Sequence, residues 1–189
     1  MTLTDLLIPT YRNMLEMLKG LLDKAEAQLG ADAAEALLSA RLAPDMWPLA
    51  TQLRFAALQA MEGLQRLRGD PIPDGFEAIL NEGRNAGEHP GTLADTRARI
   101  DQALAYADAL GAQALDGIAE DQPLVLDLPN GMTFDLTPGQ FARDWALGQF
   151  YFHVMTAYAI LRKEGVAIGK ADYVPHMFGY LRPEGLPAV

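Results

Sequence analysis

TPGQFARDWALGQFYFHVMTAYAILRKEGV, residues 137–166, reads as one long amphipathic helix with both of its ends marked. Thr137 is placed to cap the first turn. Pro138 follows at the first helical position, where a missing N–H costs nothing, and Gln140 completes a capping box. Phe141, Trp145, Phe150, Phe152, Met155 and Ile160 recur at helical spacing and are expected to pack inward. Arg162 and Lys163 suit the negative end of the helix dipole. Gly165 then stops the helix, with Val166 as its apolar companion.

Three further segments carry the same period. Between Ile8 and Leu29, Tyr11, Met14, Leu15, Leu18, Leu21, Leu22 and Ala25 form one wide apolar stripe, with Pro9 in the first turn and Gly30 as the stop. A short helix is expected at Ala33–Ser39. The second long helix is expected from Met46 to Arg68, with Asp45 as N-cap and Gly69 as its end. The third runs from Leu93 to Leu110, opened by Thr92 with Asp95. Residues 70–90 hold Pro71, Pro73 and Pro90 among several glycines, and read as a loop with one helical turn at Phe76–Leu80. Leu124, Leu126 and Leu128, then Pro129-Asn130-Gly131, then Met132, Phe134 and Leu136 spell a β-hairpin before the last helix. The tail from Ala167, with Pro175, Pro183 and Pro187, is expected to lie extended over the bundle. Long amphipathic helices bury their stripes against one another. The fold expected is therefore all-α: a single domain over residues 1–189, built as an antiparallel four-helix bundle with a small hairpin between its third and fourth helices.

Composition narrows the function classes. The chain has no Cys, which removes thiol nucleophiles, disulfides and Cys-ligated metal sites. Its 25 acids against 15 bases give a net charge of −10. Arg66 and Arg68 are flanked by Glu62 and Asp70, so no basic patch for nucleic acid is expected. No apolar run has the length of a membrane span, and the start MTLTDLLIPTYRN lacks the pattern of a signal peptide, so the cytoplasm is the expected location. HExxH, GxSxG and dinucleotide-binding patterns are absent.

Phe150–Gly165, read together with Ile168-Gly169-Lys170, resembles the last helix of DinB/YfiT-like proteins. Arg41–Met46 and the helix after it fit an uncharacterised bacterial domain-of-unknown-function family within that superfamily. The resemblance covers most of the chain, up to about Tyr173. It implies an up-down-down-up bundle, often dimeric. It also implies a divalent metal such as zinc or nickel held by three His, in relatives that include thiol-dependent transferases and isomerases. Laid onto this chain, the second-helix ligand position falls on Gln52 and the fourth-helix pair on Gln149 and His153. Only His153 keeps an imidazole, and Gln offers a neutral, weakly donating amide oxygen. Gln52, Gln149, His153 and Tyr151 are the candidate pocket residues, with His153 the one candidate metal ligand or acid/base. The bland alternative for the polar trio is a cluster that fixes helix register, and for Tyr151, Tyr158 and Trp145 it is plain core packing. His89 and His176 fall in loop and tail, and Gly169-Lys170 reads as a turn. Two functions follow. One is a homodimeric bundle without the full metal site that binds a small ligand or a protein partner. The other is a metal-dependent transferase or hydrolase, with a thiol cosubstrate implied by the resemblance.

Overall fold

The computed structural model describes residues 1–182, which form a four-helix bundle. Its long helices are α1 (Leu3–Leu29), α3 (Leu49–Arg68), α5 (Leu93–Leu110) and α6 (residues 138–163). Between them lie α2 (Ala31–Ala36), α4 (Phe76–Asn85) and the strands β1 (Leu124–Asp127) and β2 (Thr133–Leu136); α7 (Lys170–Tyr173) follows α6. The central helix is α3, packed against α4, α5 and α6, while α1 packs against α5 and α6. Leu49, Leu53 and Leu64 on α3 are fully buried, each contributing about 2 kcal/mol of apolar burial. Among the described residues no helix is long and apolar enough to cross a membrane.

Several helix borders differ from expectation, each for a local reason. α1 begins at Leu3 instead of Ile8, because Thr2 and Asp5 form a capping box that places Pro9 inside the helix. α3 begins at Leu49, not Met46, and Asp45 does not cap it; Pro48 is the N-cap. Trp47 precedes that proline, and the proline ring disfavours helical backbone in the residue before it. The loop expected across residues 70–90 contains the full helix α4. Gly83 lowers its helical preference yet is what lets it dock: a Cβ there would overlap the Phe55 ring of α3, and the Thr51 hydroxyl donates to the Gly83 carbonyl at 2.8 Å. The tail is not extended throughout. Asp172 caps the Gly169 N–H at 2.7 Å, which opens α7, and a 3₁₀ turn follows at Pro175–Tyr180. Pro183 and Pro187 lie outside the described residues.

The hairpin pairs Leu124 with Leu136 and Asp127 with Thr133. Asn130 does not adopt a positive φ, so the turn is not the two-residue type I′ form. Gly131 takes φ 86°, and the Leu128 N–H donates to the Met132 carbonyl at 2.8 Å, which makes a three-residue loop. Leu126 alone of the strand residues is fully buried.

α6 opens and closes as the sequence predicts. Thr137 and Gln140 bond reciprocally, at 3.3 and 2.9 Å. At the other end the Val166 N–H donates to Leu161 and the Gly165 N–H to Arg162, a Schellman motif with Gly165 at φ 85°. Phe141–Ala146 forms a π-helical turn within it. Phe152 and Met155, expected in the core, are exposed. Among the described residues one charged side chain is buried: Arg54 of α3 is 2% exposed, pairs with Glu82 of α4 at 3.4 Å and donates to the Ala50 carbonyl at 3.2 Å. Glu82 also holds Arg99 of α5 at 2.6 Å, so three helices share one carboxylate.

Candidate functional site

Residues three, four and seven apart share a helix face. Gln52, Phe55 and Gln59 therefore project from one side of α3, and Gln149, Phe152 and His153 from one side of α6. Both sets line a single cleft of about 440 Å³, together with Met46 and Trp47. Trp47 stands there because Pro48 keeps it off the helix and turns it onto Phe55, with ring centroids 5.1 Å apart.

His153 is the polar centre of the cleft. Its Nδ1 lies 2.9 Å from Gln52 Oε1, and Gln52 Nε2 donates to the Trp47 carbonyl at 3.2 Å. The amide oxygen can only accept, so His153 carries its proton on Nδ1 and leaves Nε2 as an acceptor. Nε2 has no hydrogen-bond partner among the described residues. The imidazole sits edge-on to Phe55 and Phe152, each centroid 5.4 Å away. Burial pushes its pKa down to about 4, so it is neutral at pH 7. The other lining residues are uncharged, and so is the whole wall.

That donor set does not match the metal site the resemblance implies. One imidazole with the amides of Gln52, Gln59 and Gln149 lacks the three strong donors that zinc or nickel requires. Among the described residues no three His, Cys, Asp or Glu cluster as ligands.

The cleft thus brings together Gln52, Gln149 and His153 and leaves Tyr151 out. Tyr151 faces away, packed on Phe150 with centroids 5.6 Å apart. Neither His89 nor His176 lines it; His89 is exposed, and Tyr158 stacks instead on Tyr173 at 5.4 Å. Trp145 lines an adjacent cleft. Sequence reasoning missed Gln59 and Trp47 as site residues. Gln59 was signalled, lying two turns after Gln52 on the same face; Trp47 was not, since the helix expected from Met46 places it on a helical turn that Pro48 keeps it from joining.

Comparison with known proteins agrees with this architecture. Residues 3–174 match the model of a family described as Domain of unknown function (DUF1993). No curated protein matches. A crystal structure of a DinB family member from Shewanella denitrificans is 32% identical, with a TM-score of 0.72 over 91% of each chain. The chain accordingly belongs to the DUF1993 family, of unknown function, and has a DinB-like helical fold.

Proposed function

We propose that this protein is a non-enzymatic member of its superfamily that binds an uncharged, partly aromatic group of a small molecule in the His153 cleft. The observation that carries this reading is the placement of His153, bonded through Nδ1 to Gln52 Oε1 and set edge-on to two aromatic rings. Its Nε2 accepts from a ligand N–H or O–H, while the amides of Gln59 and Gln149 supply both donors and acceptors. Trp47, Phe55 and Phe152 give flat apolar contact. Apolar walls with a few convergent polar groups are the usual make-up of a small-molecule pocket. A base with a pKa near 4 is poorly matched to proton transfer at neutral pH, which favours binding over acid/base catalysis.

The test is metal content by elemental mass spectrometry on protein purified without tag or chelator, beside ligand-observed NMR with benzamide and phenol. The expected result is far less than one equivalent of metal, with fragment binding lost in His153→Ala. Near one equivalent of zinc or nickel, lost in that variant, would overturn the reading. It would favour the metal-dependent transferase or hydrolase, to be screened with thiol cosubstrates.

The homodimer belongs to the same proposal. Tyr151, Phe152 and Met155 are 38%, 56% and 46% exposed along α6, an apolar strip that includes a wall residue of the cleft. A second copy seated there would roof the site. Sedimentation showing only monomer at micromolar concentration would sink this part.

A further inference from the structure

The His153 cleft does not end at Gln59. A second cleft of about 380 Å³ shares Trp47, Phe55 and Gln59 with it, and the two run together along α3. The second half is lined by Leu58, Phe76, Leu80, Leu126 and Trp145, an apolar channel between α3, α4 and the hairpin. Four charged residues rim this half and none lines the first. Glu62 accepts from Arg66 at 2.8 Å and from Gln59 at 3.3 Å. Asp127 accepts from the Thr133 hydroxyl at 2.6 Å. Arg84 is exposed and forms no salt bridge or side-chain hydrogen bond among the described residues. It is the one charged group of the rim that no described residue engages. A guanidinium presents a planar fork that matches a carboxylate better than any other common anion-binding side chain.

We infer that the ligand is elongated and amphiphilic: an uncharged hydrogen-bond donor at His153, an apolar body past Trp47 and Phe55, and a carboxylate on Arg84. This rests on the binding function proposed above and adds the ligand's length and charge to it.

Both tryptophans of the chain line the groove, Trp47 in both halves and Trp145 in the second half alone. Single-tryptophan variants therefore report each half separately. The probes are ω-hydroxyoctanoate, ω-hydroxydecanoate and ω-hydroxydodecanoate, each with its methyl ester. In Trp145→Phe, emission from Trp47 should shift with the acids; in Trp47→Phe, emission from Trp145 should shift as well. At least one acid should bind about tenfold or more tightly than its ester. Arg84→Gln should bring the acid down to the ester and leave the ester unchanged. Arg84 is exposed, so an unaltered melting temperature is expected for that variant.

A response from Trp47 with Trp145 silent would overturn the elongated ligand and leave the His153 cleft standing. Equal binding of acid and ester, or no effect of Arg84→Gln, would overturn the carboxylate. Silence from both tryptophans, with benzamide and phenol still bound in the NMR test, would also overturn the extension. If those short probes fail too, the proposed function itself falls.

Discussion

Consider the unfolding free energy in urea at pH 7, 5.5 and 4, measured for the native chain and for His153→Gln. In the unfolded chain the imidazole protonates near 6.5; in the folded protein burial lowers that to about 4. Between those values the unfolded state holds more protons, so acid favours unfolding. The stabilising effect of the neutral His153 is fully present above pH 6.5. It is lost as pH falls toward 4, at no more than about 1.4 kcal/mol per pH unit, and amounts in all to something on the order of 3 kcal/mol. The variant carries an amide that does not titrate and that can still donate to Gln52 Oε1. The acids that also titrate in this range cancel in the difference between the two proteins. The difference in unfolding free energy should therefore change by about 3 kcal/mol between pH 7 and pH 4, at the expense of the native chain. An NMR titration of the His153 ring proton gives the folded pKa directly. Parallel decline of the two proteins, or a His153 that titrates at 6.5 or above, would refute the buried neutral imidazole and the tautomer read from its geometry.

Other outcomes follow from the same contacts. Gln52→Leu strands the His153 Nδ1–H and the Trp47 carbonyl, and should cost about 2 kcal/mol by urea denaturation while releasing the fixed tautomer seen in ¹⁵N shifts. Gly83→Ala drives a methyl into Phe55, so a loss of about 1–3 kcal/mol should accompany weaker binding in the cleft, whereas Gly20→Ala, with open space around it, should not destabilise. Glu82→Ala leaves the buried Arg54 guanidinium without its carboxylate, and a loss of about 3 kcal/mol in thermal or urea unfolding is expected; no measurable loss would mean Arg54 is solvated in place.

The bundle was legible in the sequence because each long helix carries its own signal. The apolar stripe of α1 and the two ends of α6 are local patterns, and the structure keeps them. Only the first turn of α4, Phe76–Leu80, was legible; its continuation to Asn85 rests on Gly83, whose value lies in the absence of a side chain against Phe55, and on Glu82, whose partners lie on other helices. The start of α1 was misplaced because a proline in the interior reads like a beginning. At the site, Gln52, Gln149 and His153 line one cleft, as the DinB-like resemblance implied. Tyr151 does not, because two residues along a helix turn a side chain to the opposite face. Phe152 and Met155 look like core by period alone; whether a stripe is covered depends on what the neighbouring helices leave open, which no single segment encodes.

The π-helical turn at Phe141–Ala146 has a consequence for how this helix tolerates change in length. Such a turn accommodates one residue more than a regular ladder would, and so offsets the angular phase of everything before it from everything after it. The hairpin and the Thr137 cap are set in one phase, and Gln149 and His153 in another. Winding the same residues as a regular helix would rotate one half against the other by about 100°. Either Phe141 would leave the core or His153 would swing off Gln52. The π turn thus takes up one extra residue in angle, and a one-residue deletion is absorbed there while the same deletion elsewhere in α6 turns His153 off Gln52.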